Sequence, residues 1–198
     1  TTEETEETEE TEETVEEEEL FTIEDGEVIL GTKAQTGIKS LGCAFVWGGD
    51  APITAKITVN GTVYEPFGDA DNYSKGDIND GAQHSFDAGI LEAGSTISVT
   101  GISWKPKNST QYEKHLTKSS NPSNANVLVL KDGDSVPNIK GFSGQDDLES
   151  YIKGYIDTDT NTVTLKPNEV ILLFELGTTD MTQETAYFQD MLMLISIN

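Results

Sequence analysis

The sequence contains no arginine, a single cysteine and only twelve cationic side chains, all of them lysine. Without arginine, the paired hydrogen bonds that a guanidinium group makes with phosphate or carboxylate are not available. One cysteine can form neither an intrachain disulfide nor a cysteine-built zinc site. No apolar run approaches the roughly eighteen residues that a membrane-spanning helix needs, so we expect no membrane span.

Acidic side chains, by contrast, are abundant: 36 of them give the chain a formal net charge of −24. A charge of this sign argues against nucleic acids and anionic membrane surfaces as partners. The charge is unevenly spread, because residues 1–19 hold twelve acids and no base. Residues 20–198 hold the other 24 acids with all twelve lysines, a composition that is ordinary for a folded domain.

Residues 1–19 are a low-complexity Thr/Glu segment, TTEETEETEETEETVEEEE. Their one apolar residue, Val15, cannot offset the conformational entropy lost on folding. The three-residue repeat matches the polyproline II screw better than a strand or a helix, so we expect an extended, solvated segment. Two functional alternatives stay open: O-glycans on the threonines, or weak binding of divalent cations by the carboxylates.

Short apolar runs separated by turn residues indicate β structure from residue 20 onward. Asn60-Gly61 lies between two alternating segments and predicts a hairpin, because a type I′ turn needs two residues with positive φ. Glu24–Glu27 predicts a second turn. Gly101 interrupts the alternation of residues 96–104 and predicts a β-bulge.

Three nearly continuous apolar runs predict central strands buried on both faces: residues 127–130, 170–174 and 191–197. Helical spacing of apolar residues predicts one short helix near 144–154. Residues 68–90 and 105–126 are the longest stretches without a strand pattern. Together these features predict a single all-β domain over 20–198, an antiparallel, jelly-roll-like β-sandwich with long loops.

Two features favour an exported protein, located outside the cell or at its surface. The chain starts at Thr1 instead of methionine, as a chain does after its leader has been removed. Three Asn-X-Ser/Thr sequences, at Asn60, Asn72 and Asn108, are candidate glycosylation sites.

Oxygen-bearing side chains concentrate in one predicted loop, at Asp69, Asp71, Asp77 and Asp80. Hard oxygen ligands on a glycine-containing loop are what calcium prefers, so these residues form a candidate calcium site. Their spacing is not that of an EF-hand. A polar turn, in which Asp, Asn and Gly supply the turn geometry, explains the same residues.

A second candidate calcium site lies at Asp157, Asp159 and Asn161, which match the first three ligand positions of an EF-hand loop. Thr162 stands where that loop requires glycine. The segment is flanked by apolar residues on both sides, so a simple hairpin explains it as well.

The residue types used in catalysis occur without the partners that catalysis requires. Cys43 lies inside the apolar run 41–47 and is expected to be a buried, inert thiol. His84 and His115 lie in polar segments, with no nucleophile elbow or metalloprotease motif in the chain. We therefore expect no enzymatic activity.

Five aromatic residues could form a platform on which sugars stack: Trp47, Tyr64, Tyr73, Trp104 and Tyr112. Both tryptophans alternate in phase with apolar neighbours, which favours a place in the core. A sugar platform instead requires at least two aromatic rings on one exposed face. A monomeric carbohydrate-binding or adhesion module is therefore the alternative function.

Residues 41–59, LGCAFVWGGDAPITAKITV, resemble the early strands of secreted β-sandwich filament subunits, namely the TasA/camelysin-type biofilm fibre proteins and the archaeal cannula subunits. The shared features are a strand that ends in tryptophan, a following alternating strand and an extended N-terminal segment. The resemblance implies a jelly-roll-like sandwich that polymerises by lending an N-terminal strand to the next subunit, in some cases with calcium at the contacts.

A donated strand must present apolar side chains to its neighbour's groove, which the Thr-Glu-Glu repeat cannot do. Residues 15–30 are the suitable donor, with apolar groups at Val15, Leu20, Phe21, Ile23 and Val28. We therefore expect an extracellular structural protein that assembles with copies of itself by strand addition into a filament, tube or surface layer. Calcium would reduce the repulsion between subunits of charge −24.

Overall fold

Short strands make up most of the regular structure, as the sequence predicts. The computed structural model describes residues 19–136, 153–157, 159–183 and 185–198, which contain thirteen β-strands and one α-helix. In chain order these are β1 (Phe21–Glu24), β2 (Glu27–Leu30), β3 (Ala34–Gly42), β4 (Ile53–Val59), β5 (Thr62–Tyr64), α1 (Tyr73–Gly76), β6 (Ser85–Leu91), β7 (Thr96–Pro106), β8 (Tyr112–Ser119), β9 (Val127–Lys131), β10 (Ile156–Asp157), β11 (Thr162–Val163), β12 (Glu169–Phe174) and β13 (Met191–Ile197).

Two antiparallel sheets form the body of the fold. The first has the strand order β1-β2-β7-β4-β5, and β8 also pairs with β7. Strands β2 and β8 pair with successive parts of β7, at Thr96–Ile97 and at Thr100–Pro106. The second sheet has the order β6-β3-β13-β12-β9. This confirms the predicted all-β, sandwich-like fold.

The main hydrophobic core lies between the two sheets. Alternate residues of β4 and β7 face alternate residues of β3, β12 and β13. Its members include Ile53, Ile57, Ile97 and Val99 from the first sheet, and Ile38, Leu172, Phe174 and Met193 from the second. Strand periodicity explains this arrangement, since every second side chain points to the same face.

The second sheet is covered on its outer face as well. Ile171 and Leu173 of β12 and Leu192 and Leu194 of β13 join a second core that is completed by Val163, Leu165 and Phe188. Burial on both faces explains the continuous apolar runs and confirms the prediction for 170–174 and 191–197. The same prediction is wrong for 127–130, because β9 is an edge strand with only Val127 fully buried.

Two predicted turns are confirmed as hairpins. Asn60 and Gly61 have φ angles of 50° and 76°, and they join β4 to β5. Asp25 and Gly26 have φ angles of 47° and 77°, and they join β1 to β2. Positive φ at both central residues is the type I′ geometry that such short loops favour.

The bulge predicted at Gly101 is displaced. Strand β7 keeps a continuous register with β4 through this residue. A Cβ atom at Gly101 would lie 2.7 Å from Met191 Cε and 3.0 Å from Leu176 Cδ1, so the glycine leaves room for these core side chains. The register changes between Ile102 and Trp104 instead, in the pairing with β8.

Strand β8 lies within a stretch predicted to lack strands, and β6 lies within the other such stretch except for its last residue, Leu91. Both pair on one side only with their sheets, and many of their residues are exposed or half-buried. Such edge strands carry a weak apolar pattern, which explains the wrong prediction. The helix predicted near 144–154 lies outside the described residues except for its end, where Lys153–Tyr155 form one turn of 3-10 helix.

Candidate functional site

The loop between β5 and β6 covers the outer face of the first sheet. Within it, Asp71 lies between two lysines, with Oδ2 2.9 Å from Lys56 Nζ and Oδ1 2.5 Å from Lys114 Nζ. Hydrogen bonds from Lys114 and Lys56 lower the pKa of Asp71 to about 2. This predicted calcium ligand is therefore engaged by cations of the chain itself.

The other three aspartates of the predicted calcium loop accept hydrogen bonds from separate partners. Asp69 Oδ1 accepts from the backbone N–H of Asp71. Asp77 Oδ1 accepts from the backbone N–H groups of Ile53 and Asn79. Asp80 Oδ1 lies 2.9 Å from His84 Nε2 and holds the turn that leads into β6. These contacts match the polar-turn alternative.

The second candidate calcium site forms a hairpin between β10 and β11, the alternative that its flanking residues favour. Asp157 Oδ1 accepts from the N–H groups of Asp159 and Thr160, and Asn161 has a φ of 54° in the turn. Within the part of the chain that the structure describes, no three acidic, histidine or cysteine side chains are grouped to hold a metal ion.

The predicted donor segment forms the hairpin β1–β2, hereafter the N-terminal hairpin (residues 21–30), which belongs to the chain's own first sheet. Phe21 and Val28 are buried in the main core, and Ile23 packs against it. Leu20 precedes the hairpin and is exposed. Val15 lies outside the described residues.

The three candidate glycosylation asparagines lie in turns or caps. Asn60 accepts from Thr96 N–H, Asn72 caps α1 through Ser74 N–H, and Asn108 accepts from Thr110 N–H. Each side-chain oxygen thus has a local structural role, and glycosylation stays a prediction.

The two tryptophans have different environments. Trp104 is buried on the outer face of the first sheet against Ala70 and Tyr73, which confirms its predicted place in a core. The same prediction is wrong for Trp47, 42% of whose surface is exposed. The apolar run leaves β3 at Gly42, so Trp47 lies at the tip of a loop that the Val46–Asp50 bridge closes.

Cys43 directly follows β3 and is half-buried, whereas the sequence predicts a buried thiol. Burial, together with the negative charge of Asp77 and Asp190, raises the pKa of the Cys43 thiol. A thiol with a raised pKa is a poor nucleophile at neutral pH. His115 Nε2 lies 2.9 Å from the Gly177 carbonyl oxygen, and its ring contacts Trp47.

Two carboxyl groups that the sequence analysis missed lie side by side at one end of the second sheet. Glu175 follows β12 directly and Asp190 precedes β13 directly. Phe174 pairs with Met191, so the antiparallel register brings the two acids together. Both are buried, with 1% of Glu175 and 8% of Asp190 exposed to solvent.

Glu175 accepts hydrogen bonds from the backbone of two segments, the one that directly follows it and the one that precedes Asp190. Its Oε1 accepts from the N–H groups of Gly177 and Thr178 at 2.8 and 3.0 Å. Its Oε2 accepts from those of Tyr187 and Phe188 at 2.8 and 3.4 Å. The side chain therefore fixes the path of residues 175–178 relative to that of residues 186–188.

Asp190 lies in the same buried environment as Glu175. Burial, together with the adjacent charge of Glu175, raises the pKa of Asp190 well above its ordinary value. Its Oδ2 accepts a hydrogen bond from Leu176 N–H at 2.5 Å, and it shares a further hydrogen bond with Glu175. Two buried carboxyls this close cannot both ionise without a large desolvation and repulsion cost.

A cleft of about 630 Å³ opens directly above this carboxyl pair. The loop 44–48 forms one wall, and the other is formed by Gly177, Thr178, Gln183, Thr185, Tyr187 and Gln189. Trp47, Thr185, Tyr187 and Gln189 line it. This volume lies in the range of about 300 to 1,000 Å³ that is typical of small-molecule sites.

Two unusual features mark the wall that faces Trp47. Gln189 Oε1 is buried and has no hydrogen-bond partner among the described residues, which costs about 1 to 3 kcal/mol for a buried acceptor. Phe188 is a buried, non-glycine residue with a φ of 56°. Backbone strain of this kind concentrates at functional sites.

A sequence signal for the pair exists in retrospect. Each acid directly borders one of the two nearly continuous apolar runs, 170–174 and 191–197. Only the pairing of those runs as antiparallel neighbours shows that the acids meet. The loop aspartates stand out by local density, whereas Glu175 and Asp190 are fifteen positions apart.

Comparisons of the chain with protein-family models, curated proteins and solved structures give no significant match, so no relative assigns a function to the hairpin or the cleft. Among the described residues, none of the helices has the length and apolar character to cross a membrane.

Proposed function

We propose that the protein is an extracellular structural subunit that assembles with copies of itself into a filament, tube or surface layer, by exchange of its N-terminal hairpin. The observation that carries the proposal is a contrast within this hairpin. Its side chains complete the main core, while its backbone joins the rest of the first sheet over a short stretch. The hairpin pairs with β7 at Val28–Ile97 and Ile29–Thr96, and Leu30 adds backbone hydrogen bonds to Gly94 and Ser95.

The fold requires a hairpin at this position, because the hairpin supplies part of the main core. Phe21, Val28 and Leu30 are all buried in the main core. Burying one such side chain is worth about 1.5 to 3 kcal/mol, so a fold that lacks all three is strongly destabilised. The space that the hairpin occupies in the main core must therefore be filled, either by the chain's own hairpin or by that of a neighbour.

The connection between the hairpin and the body is short. Only residues 31–33 separate β2 from β3. At Gly31 the chain passes so close to Glu19 that a Cβ atom would lie 1.9 Å from its carbonyl oxygen. Short, constrained hinges favour exchange of an element between copies, because the extended connection relieves the constraint.

A second surface supports contact between copies. The edge strands β5 and β6 approach each other, with the Tyr64 and Phe86 rings 5.5 Å apart. Val63, Tyr64 and Ile90 are exposed on these edges. Unpaired edge backbone beside apolar side chains is typical of surfaces that add a strand. The resemblance of residues 41–59 to secreted filament subunits points the same way.

Calcium is the counter-ion that we include in the proposal. Subunits with a net charge of −24 repel one another, and lysines such as Lys56 and Lys114 are already paired within the chain. Divalent cations between acidic surfaces would lower this repulsion. Calcium then acts between subunits. Asp69, Asp77 and Asp80 are the candidate contacts, since both oxygens of Asp71 bind lysines.

A reversible lock of the hairpin tests the proposal. Asp25 Oδ1 and Ser123 Oγ lie 2.7 Å apart, and this contact joins the turn of the hairpin to the segment after β8. In the double variant D25C/S123C, a disulfide would hold the hairpin on its own chain. We expect filaments or larger species for the wild type and for the reduced variant, and monomers for the oxidised variant.

Negative-stain electron microscopy and light scattering provide the readout, with calcium and with a chelator. The single variant S123C is the control, because it cannot form the lock. Assembly of the oxidised double variant would exclude hairpin exchange. A wild type that stays monomeric at high concentration in both buffers would overturn the assembly function, and assembly indifferent to chelator would remove calcium from it.

A further inference from the structure

We infer that the cleft above Glu175 and Asp190 is a binding site for a neutral, hydroxyl-rich ligand, a carbohydrate, whose ring packs on Trp47 and whose hydroxyl groups bind the wall around Gln189. This function is independent of assembly, since neither the N-terminal hairpin nor the β5–β6 edges line the cleft.

Trp47 is held in a fixed orientation at the mouth of the cleft. The His115 ring contacts it nearly edge to face, with centroids 4.6 Å apart. His115 is itself anchored to the Gly177 carbonyl oxygen, on the opposite wall. An exposed indole that the fold positions in advance offers a flat apolar surface, and the C–H-rich face of a sugar ring packs well on such a surface.

The charge of the cleft disfavours ionic ligands. Its described lining contains no lysine to attract an anion. Both oxygens of Glu175 accept from backbone N–H groups, and Asp190 is buried with its Oδ2 bound to Leu176 N–H, so the floor of the cleft presents little carboxylate surface to a cation. The remaining polar groups are side-chain amides and hydroxyls, which suit a neutral ligand with many hydroxyl groups.

Gln189 supplies the acceptor that such a ligand would use. Its Oε1 is buried in the wall and has no partner among the described residues. This oxygen is closed to solvent, so a ligand hydroxyl group would pair it only after the Gln189 amide rotates toward the cleft. Discrimination is strong where a site holds an unpaired polar group, because a ligand that lacks the hydroxyl leaves that group unsatisfied.

Glu175 acts as a positioning residue for this wall. It accepts from the N–H groups of Tyr187 and Phe188, and so holds the backbone where Phe188 has its positive φ. Tyr187 and Gln189 flank Phe188 and both line the cleft. The buried carboxylate therefore determines where the two ligand-facing side chains stand, without itself touching the ligand.

Trp47 provides its own spectroscopic probe. The chain has two tryptophans, so the variant W104F leaves Trp47 as the sole indole emitter. Four neutral sugars serve as ligands: cellohexaose, chitohexaose, xylohexaose and mannohexaose. We would follow their binding to W104F by Trp47 fluorescence and their binding to the wild type by calorimetry. A polygalacturonate oligomer and a lysine oligomer serve as charged probes. We expect one of the neutral sugars to bind with a Kd between micromolar and millimolar, with a shift of Trp47 emission.

Tyr64 offers a matched control for Trp47, because each has 42% of its surface exposed and Tyr64 lies on β5, outside the cleft. We expect W47A to weaken binding at least tenfold, W47F to restore part of it, and Y64A to leave it unchanged. Q189M should weaken binding about tenfold, because it removes the acceptor and keeps the volume.

Three results would overturn the inference. They are no binding of any neutral sugar at millimolar concentration, binding of the charged probes alone, and sugar binding that W47A leaves intact. Unfolding curves of W47A and Q189M identify a variant that fails to fold. In that case W47F and the emission of Trp47 in W104F still decide the question.

Discussion

Asp71 and Asp190 are two aspartates that each lie beside another charged side chain, yet the fold shifts their pKa values in opposite directions. Asp71 is on the surface between Lys114 and Lys56, and its pKa is lowered to about 2. Asp190 is buried beside Glu175, and its pKa is raised. The sign of the neighbouring charge and the access of water decide the difference.

The chain has 36 acidic residues, and the comparison shows that they can contribute to stability in two different ways. Surface ion pairs contribute little, because water and salt screen them. A buried carboxyl group contributes much more, since a lost partner leaves polar groups unsatisfied in a medium of low dielectric. Asp71 is of the first kind, and the pair beneath the cleft is of the second.

The largest effect is expected at Glu175. In E175Q, the side-chain NH2 group would face backbone N–H groups that donate to Glu175 in the wild type. Two donors would then meet, and those hydrogen bonds would be lost. We expect the free energy of unfolding to fall by about 3 to 5 kcal/mol, the usual cost of breaking a buried charged contact. Urea unfolding at pH 7, followed by fluorescence, measures the change.

The matched control is E92Q. Glu92 is an exposed acid that pairs with Lys33 at the surface, and we expect its neutralisation to change stability by no more than about 0.5 kcal/mol. Equal losses in E175Q and E92Q would show that the buried carboxylate does not hold the two segments together.

A smaller effect with a defined pH dependence is expected at Asp190. Because folding raises the pKa of Asp190, the folded protein binds a proton there more tightly than the unfolded chain does. This difference stabilises the fold at low pH. That contribution is lost as the pH rises from about 3.9, the ordinary value, through the folded pKa. In D190N the neutral amide replaces the protonated acid, so we expect the variant to gain stability relative to the wild type as the pH rises.

Paired urea titrations of D190N and wild type at pH 4, 5, 6, 7 and 8 measure this gain. Between the unfolded and folded pKa values the difference should grow by about 1.4 kcal/mol per pH unit. Taking the difference cancels the titration of the acids that both proteins share. A difference that stays constant with pH would mean that Asp190 ionises normally in the fold.

The sequence predicts local features of this fold better than distant ones. The hairpin at Asn60-Gly61 is confirmed because its signal is complete within a few residues. The partners of Asp71, by contrast, are 15 and 43 positions away, and strand pairing brings them together. The same limit applies to Glu175 and Asp190, and to Trp47, whose exposure depends on where β3 ends.

The smallest effect is expected for the surface network, which a double-mutant cycle of D71N and K114Q measures. The side chain of Asp71 is about half exposed, so we expect a coupling energy below about 1 kcal/mol at low salt. In 1 M NaCl, where the screening length is about 3 Å, the coupling should become unmeasurable.

The pH dependence of Asp71 is opposite to that of Asp190. Because folding lowers the pKa of Asp71, its contribution to stability is present at pH values above the ordinary aspartate pKa and is lost as the pH falls through about 2. A coupling that persists in high salt would show that the loop shields Asp71 from water, and the two aspartates would then differ only in the sign of their neighbours.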